Sequence, residues 1–353
     1  MDYTKKSKDE LIAICKERKI KGYSTLNKEA IIALIELAMP SAKPSGPVAT
    51  PLATPVVTNP TVPVVPVNTV IPTQPHVEVD KELVAKYVPT TATHLSPLVK
   101  WSGGKAEEIK HILPLMPAHT TYVEPFIGGG ALFFYLNPQK AVINDIHPDL
   151  VKLYKAIGAG RRLDMKAFMT AHPNTEEEYY KVRRMPITSD FDSACQFYYL
   201  RKTCFRGMLR YNSSGEFNIP YGKYKTINFS DLDGTAHEAL LARTTVMSGS
   251  FKDVFAACDT PEHFIFLDPP YDSKFTDYGY CSFGRKEQEE LAALFKKSKA
   301  RCMIVIGETD YIKNLYAGYI VHRYPKNYKF KIHSGRVGDE INVNHIVICN
   351  YKV

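Results

Sequence analysis

The stretch FIFLDPPY, Phe264 to Tyr271, ends an apolar run in residues able to hold an amino group. Asp268 supplies a carboxylate. Pro269 and Pro270 lack N–H groups and push the residue before each toward extended geometry, so this stiff backbone presents carbonyl acceptors only. Together they make a platform for an NH2 donor, with the Tyr271 ring beside it to stack on a planar group. A strand followed by an ordinary proline turn would account for the same letters, so the choice rests on what else the chain sets beside them.

Two further clusters bear on that choice. VEPFIGGG puts Glu124, Pro125 and Phe126 ahead of three glycines, and Gly128 to Gly130 let a backbone turn tightly and come close to a ligand. Asp145, in VINDIHPDL, follows Glu124 by 21 residues, where an acid holds ribose hydroxyls in nucleotide-binding folds. KWSGGK sets the single tryptophan, Trp101, beside Gly103, Gly104 and Lys105. It reads as a polar loop for close approach, although Trp101 taken alone would better suit a core. The chain has no G-x-x-x-x-G-K-[ST], so a P-loop phosphate site has no support.

The elements that must position these clusters are legible as alternating runs. Thr121 to Glu124, Ala141 to Asn144, Thr245 to Ser248, Phe264 to Leu267 and Met303 to Ile306 read as strands, and Arg285 to Lys299 as an amphipathic helix. Tyr319 to Tyr324 and Asn344 to Tyr351 suit a final antiparallel pair. Such alternation implies an α/β fold with a mostly parallel, doubly wound sheet, in which ligands bind outside the carboxyl ends of the strands. Glu124, Asp145 and Asp268 each fall at such an end. From about Leu153 to Leu241 polar and helical sequence interrupts the rhythm, as an insertion with its own task.

Composition narrows the classes. The 353 residues are 44% hydrophobic, enough for one large domain and something smaller. With no run of eighteen apolar residues and no signal peptide, the chain is expected to be soluble, away from membranes and not secreted. The seven cysteines are odd in number and none has the spacing of a zinc or redox motif, which implies a reducing intracellular compartment and no structural metal. The net charge is +8, and from Lys181 to Lys225 nine basic residues face three acids, so most of the excess sits in the insertion. There Arg201, Lys202, Arg206, Arg210 and Lys223 interleave with Phe205, Tyr211, Phe217 and Tyr221. Cations for phosphates, an arginine for guanine and aromatics for a base stack are the tools of DNA contact. A solvated basic face over an aromatic cluster is the plainer alternative.

The first 39 residues form a separate unit. Ser7 and Glu10 have the spacing of a capping box, Leu11, Ile14 and Cys15 continue a helical stripe, and Asn27 caps a second helix through Leu37. With Leu11, the Lys19 to Gly22 turn, Lys28 and the Ile31, Ile32, Leu34, Ile35 cluster, it resembles the SAP module, a DNA-binding helix-loop-helix. A helical hairpin for protein contacts remains the other reading. Residues 40–80 form a linker, with ten prolines between Pro40 and Pro75 and Lys43 the only charge there. It could reach on the order of 100 Å.

KWSGGK, then VEPFIGGG with Asp145, then the insertion, then FLDPPY: this order resembles the Dam-like, alpha-class DNA adenine-N6 methyltransferases over about Ser96 to Tyr351. The resemblance implies a Rossmann-like methyltransferase domain over 81–353 and a target-recognition insertion at about 153–241. It implies S-adenosylmethionine contacts at Trp101, Gly103, Gly104, Lys105, Glu124, Pro125, Phe126, Gly128, Gly130, Asp145 and Asp268, and catalysis by Asp268, Pro269, Pro270 and Tyr271 without metal. SGSFKD, Ser248 to Asp253, follows the family's third-strand segment more loosely. In the insertion, Gly207, Arg210 and Asn212 match G-x-x-R-x-N, and Gly215, Phe217, Asn218 and Pro220 match G-x-F-N-x-P. DNA contacts are therefore expected at Arg201, Lys202, Phe205, Arg206, Met208, Arg210, Asn212, Asn218, Pro220 and Lys223. Arg201 and Arg206 stand where family members usually carry asparagine, so the familiar GATC site is not carried over.

The expected activity is methyl transfer to a flipped-out adenine in duplex DNA by a monomer or weak dimer. The setting would be a bacterial cytoplasm or a viral replication compartment or nucleus, with room for a separate cognate restriction endonuclease. RNA adenine as substrate, a cytosine-N4 acceptor, and a catalytically idle DNA-binding or packaging protein are the alternatives. Intact Asp268, Tyr271, Lys105 and Asp145 speak against the last.

Overall fold

Phe264 to Leu267 lack polar alternation because each face of their strand meets its own core. In the computed structural model, Phe264 and Phe266 join Tyr122, Phe133, Met303 and Val347 on one face, while Ile265 and Leu267 join Val123, Ile304, Ile306 and Ile348 on the other. A period of two set between two apolar layers leaves no position for a polar residue. Burying each such side chain contributes about 1.5–3 kcal/mol. The structure describes residues 6–17, Lys28, Ile32, Ile35, 94–271, 283–327 and 342–353. The linker expected at 40–80, the Lys19 to Gly22 turn and most of the second helix of the N-terminal unit lie outside the described residues.

The chain divides into two compact units, Met1–Val70 and Ile71–Val353. In the first, helix α1 (Lys8–Glu17) begins with the reciprocal bonds its letters implied: Ser7 N–H donates to Glu10 Oε2 at 2.6 Å and Glu10 N–H to Ser7 Oγ at 3.3 Å. Leu11 and Cys15 are buried against Ile35.

The second unit is built on a seven-stranded sheet of order β3-β2-β1-β4-β5-β7-β6. The strands are β1 (Thr121–Glu124), β2 (Ala141–Asp145), β3 (Thr244–Ser248), β4 (His263–Leu267), β5 (Arg301–Gly307), β6 (Ile320–Asn327) and β7 (Asn342–Cys349). Pairings from β3 through β5 are parallel, and β7 runs antiparallel to both β5 and β6. Each strand read in the sequence is present, most with ends shifted by one to three residues, and the doubly wound α/β fold is as expected. Strand order reverses between β1 and β4, so the crevice beyond their carboxyl ends is the topological switch point. Glu124 ends β1 there, and Asp268 follows β4.

Around the sheet stand α2 (Ile109–Ile112), α3 (Ala131–Leu136), α4 (Pro148–Gly158), α5 (Arg162–Ala171), α6 (Glu176–Arg183), α7 (Asp190–Thr203), α8 (Ala236–Ala242), α9 (Phe251–Cys258), α10 (Arg285–Lys297) and α11 (Asp310–Leu315). Helices α4 to α8 fill the interval between β2 and β3 where an insertion was expected. Helix α7 has no amphipathic stripe because its neighbours enclose it: Ala194, Phe197, Tyr198, Tyr199, Leu200 and Arg201 are all buried. Beyond α7 the chain folds back on itself as an irregular hairpin, with bridges Cys204–Tyr221 and Tyr211–Phe217. No helix of the described residues is long and apolar enough to cross a membrane.

Candidate active site

Lys105 organises the Asp268 to Tyr271 segment. Its side chain is only 2% exposed, and its ammonium donates to Asp268 Oδ1 at 2.5 Å, Tyr271 Oη at 2.8 Å and the Gly103 carbonyl at 3.0 Å. Three donors thus meet three acceptors. Burial raises the Asp268 carboxyl above the usual range and the Lys105 charge pulls it back. Gln288 of α10, also buried, donates to the Pro270 carbonyl at 2.7 Å and clamps the proline segment from behind. The Tyr271 ring rests over Gly307 of β5, where a Cβ would stand 3.5 Å from it, and meets the edge of His345 at a centroid distance of 5.4 Å.

Next to this cluster lies Glu108, in the turn Ala106–Glu108 that follows KWSGGK. It accepts from Tyr324 Oη at 2.5 Å and His345 Nδ1 at 2.7 Å, and Lys326 Nζ stands 3.2 Å away. Burial works to raise this carboxyl, yet the His345 hydrogen bond and the Lys105 charge bring it down to about 2. Neither Glu108, His345 nor Gln288 was singled out in the sequence.

The glycine turn after β1 is built by its neighbours. Gly128 (φ 45°) and Gly130 (φ 67°) occupy the left-handed region that side chains disfavour. Gly128 N–H and His147 N–H donate to the two oxygens of Asp145, each at 2.9 Å. Asn144 Nδ2 ties the Pro125 carbonyl, at 2.9 Å, to the Gly249 carbonyl, at 3.0 Å, joining the turns after β1 and β3. Phe126 packs on Phe251 and Phe283. Part of the reason for the glycines differs from the one read in the sequence. A Cβ at Gly128 would lie 2.6 Å from the Trp101 ring, and one at Gly129 2.9 Å from Trp101 Cβ, so the close approach is to this indole. Trp101, Gly104 and Gly129 line a cleft there with Val99.

Two further carboxyls in this crevice are raised by burial: Asp145 to about 6, against hydrogen bonds from His147 and Gly128, and Glu124 well above its usual range. Glu124 accepts from Tyr122 Oη at 2.6 Å. Buried acids perturbed in this way beside a glycine turn mark a functional crevice.

The hairpin carries the expected recognition residues, in two different settings. Arg210 is exposed and braced by Asn218, Nε donating to Oδ1 at 2.8 Å and Nη2 to the carbonyl at 3.3 Å. Phe205, Arg206, Pro220 and Lys223 are exposed and Met208 half-buried. Among the described residues three non-glycine positions have positive φ, and two are here, Arg206 (57°) and Lys223 (54°). Such backbone strain concentrates where function requires it. Others are committed inward. Asn212 Oδ1 accepts from Ser214 and Glu216 N–H and its Nδ2 donates to Glu216, so it builds the hairpin tip. Lys202 pairs with Asp231 at 3.1 Å. Arg201, expected on the DNA face, is 3% exposed; it donates to the Lys100 carbonyl and lies 5.4 Å from the Trp101 ring, because the enclosed α7 turns it toward the KWSGGK loop.

One bond joins the hairpin to the glycine crevice. Burial, with the Arg201 charge and against the pull of Asp149, drives His147 down to about 4. Its Nδ1 accepts from Leu150 N–H at 3.3 Å, so the neutral ring carries its hydrogen on Nε2 and donates it to Tyr211 Oη at 2.7 Å.

A family model described as D12 class N6 adenine-specific DNA methyltransferase matches residues 101–332. The chain is 50% identical over 260 residues to the type II methyltransferase M.CviBI of Paramecium bursaria Chlorella virus NC1A, covering 73% of this chain and 100% of that one. With the type II methyltransferase M1.LlaDCHI of Lactococcus lactis subsp. cremoris it shares 30% identity over 278 residues, 73% of this chain and 96% of that one. With the DNA adenine methylase of Haemophilus influenzae it shares 33% over 240 residues, 63% and 83% of the two chains.

Proposed function

The chain belongs to the D12 class of N6 adenine-specific DNA methyltransferases, and from that premise we propose that it acts on an adenine flipped out of duplex DNA, with Asp268 to Tyr271 as the catalytic segment and S-adenosylmethionine as methyl donor. The observation that carries this reading is the Lys105–Asp268–Tyr271 cluster at the topological switch point, beside the glycine turn and Asp145.

The crevice suits that cofactor by its donors and its shape. Asp145, a buried carboxylate already held by two backbone N–H groups, keeps lone pairs for ribose hydroxyls. Gly103 and Gly104 keep their loop free of side chains, Gly128 and Gly130 make the left-handed turn that seats against neighbouring side chains, Phe126 and Trp101 give apolar walls, and Glu124, Pro125, Lys105 and Asp268 complete the set. When bound, S-adenosylmethionine supplies an electrophilic methyl group.

Adenine's exocyclic nitrogen is a weak nucleophile because its lone pair is delocalised into the ring. Asp268 and the Pro269 carbonyl accept its two hydrogens, so the nitrogen pyramidalises and its lone pair points out of the ring plane. Burial raises the Asp268 carboxyl, and the Lys105 charge works against that burial in favour of the charged, accepting form. As the nitrogen gains a methyl it becomes cationic, and the carboxylate stabilises that charge and passes the surplus proton to water. This is positioning and electrostatic preorganisation. Flipping the base costs a few kcal/mol, and stacking on Tyr271 offsets part of it.

Arg210, held in one orientation by Asn218, is assigned the guanine contact, worth roughly 1–3 kcal/mol if bidentate. Phe205 and Arg206, exposed on the same hairpin, add an aromatic and a cation, and Lys223 takes a phosphate. The N-terminal unit, read as a SAP-like module at 1–39, raises the concentration of the domain on DNA through the 40–80 linker. The type II names of two relatives support a separate partner endonuclease. The setting is intracellular and reducing.

Labelled-methyl transfer to unmethylated duplex, with the product nucleosides identified, tests this reading. Label in N6-methyladenine from the unaltered chain and none from Asp268→Ala is expected. Label from a well-folded Asp268→Ala chain at comparable rate would overturn the catalytic assignment.

A further inference from the structure

The methyl-transfer scheme leaves a buried ion-paired group next to its reacting segment unused, the Glu108–His345 pair. A hydrophobic core has no need of a carboxylate 2% exposed and an imidazole 1% exposed, and buried polar networks that adjoin a reactive segment are candidates for a role in it. The two residues lie 237 positions apart and come from different elements, one from the turn after the KWSGGK loop and the other from β7.

Register explains where the imidazole stands. His345 pairs with Gly307 of β5 on one side and Tyr324 of β6 on the other. Gly307 forms a floor under the Tyr271 ring, and His345 forms a wall, its plane at 83° to that ring. Lys105 tethers the phenol oxygen at 2.8 Å. A carboxylate held near 2 can only accept at working pH, so the His345 Nδ1 must carry the hydrogen it shares with Glu108, and that bond sets the tilt of the wall. Tyr324 and Lys326 hold Glu108 from the far side, so the pair is braced.

We propose that Glu108 and His345 are positioning residues for methyl transfer: the pair fixes the Tyr271 ring at the height where the extruded base stacks, and through Lys105 it fixes the Asp268 carboxylate. The inference rests on the catalytic assignment above. It adds a positioning pair that touches neither base nor cofactor.

The test uses the full chain and a cognate duplex, identified by mapping the methylated adenines, with 2-aminopurine at the target position in a parallel substrate. His345→Ala and Glu108→Gln should each slow single-turnover methyl transfer roughly 10- to 100-fold, with His345→Asn, which keeps a donor toward Glu108, recovering part of the loss. Cofactor and duplex affinities should stay within about twofold. 2-Aminopurine should be flipped but less stacked, showing stronger emission than with the unaltered chain. Rates unchanged in both variants, or rate and both affinities falling together with melting temperature, would overturn the proposal in favour of a purely structural pair. Should His345→Ala not fold, the near-isosteric Glu108→Gln decides the matter alone. An unaltered chain inactive on every duplex would overturn the catalytic reading and this inference with it, whereas an active one indifferent to both changes overturns only the inference.

Discussion

The crevice beyond β1 and β4 and the hairpin beyond α7 use the same kinds of residue in opposite ways. In the crevice Lys105 is sealed, and its ammonium is shared among three acceptors, two on the Asp268 to Tyr271 segment and one the Gly103 carbonyl. On the hairpin Arg210 stands in solvent, braced by one asparagine. Charge–charge interaction is strong and geometry fixed where water is excluded, which is what a methyl transfer over a short, aligned path requires. Recognition requires groups that reach a partner and can be matched to different sequences, which leaves them exposed and held at one end. On the proposed reading the first region carries the chemistry and the second the choice of site.

That division has graded consequences. Arg210→Ala should cost roughly 1–3 kcal/mol of discrimination, read as a fall in methylation of the cognate site while transfer to altered sites holds. An equal fall on every sequence would make Arg210 a phosphate contact. A smaller effect belongs to Asp145, whose carboxyl burial raises to about 6. On the proposed reading it accepts from ribose hydroxyls most strongly when ionised, so cofactor affinity should be flat above about pH 7 and fall by up to about tenfold per unit as pH drops through 6. Asp145→Asn should flatten the profile. The stability linkage runs the other way: a carboxyl raised from 3.8 favours the folded chain most below about pH 4, and that contribution is lost as pH rises through about 6. The smallest effect is expected for Lys223→Ala, which should weaken duplex binding evenly and lower the salt slope by about one; a change of sequence preference would move Lys223 into the base-reading group.

Legibility in the sequence follows the same line. The strands, the glycine turn and Asp-Pro-Pro-Tyr were legible because each is a local pattern whose cause, two-sided burial or backbone freedom, lies within a few residues. Ser7 and Glu10 formed their capping bonds for the same reason. Glu108, Gln288 and His345 gave no signal because their partners come from distant segments, and a lone Glu or His in a turn or strand has no periodicity to betray it. His147 sat in plain view two residues after Asp145, yet its bond to Tyr211 depends on how the hairpin returns. Arg201 misled for a complementary reason. Charge in a basic stretch suggests a surface, and only the enclosure of α7 by its neighbours shows that the side chain turns inward.

The most direct test of the division is a single-turnover measurement with cofactor and duplex both saturating, comparing Asp268→Ala with Arg210→Ala on the cognate site. Asp268→Ala should lower the transfer rate roughly 100- to 1000-fold while duplex affinity stays near that of the unaltered chain. Arg210→Ala should do the reverse, with weaker cognate binding and a transfer rate near normal once bound. A rate loss carried by Arg210→Ala and spared by Asp268→Ala would contradict the account.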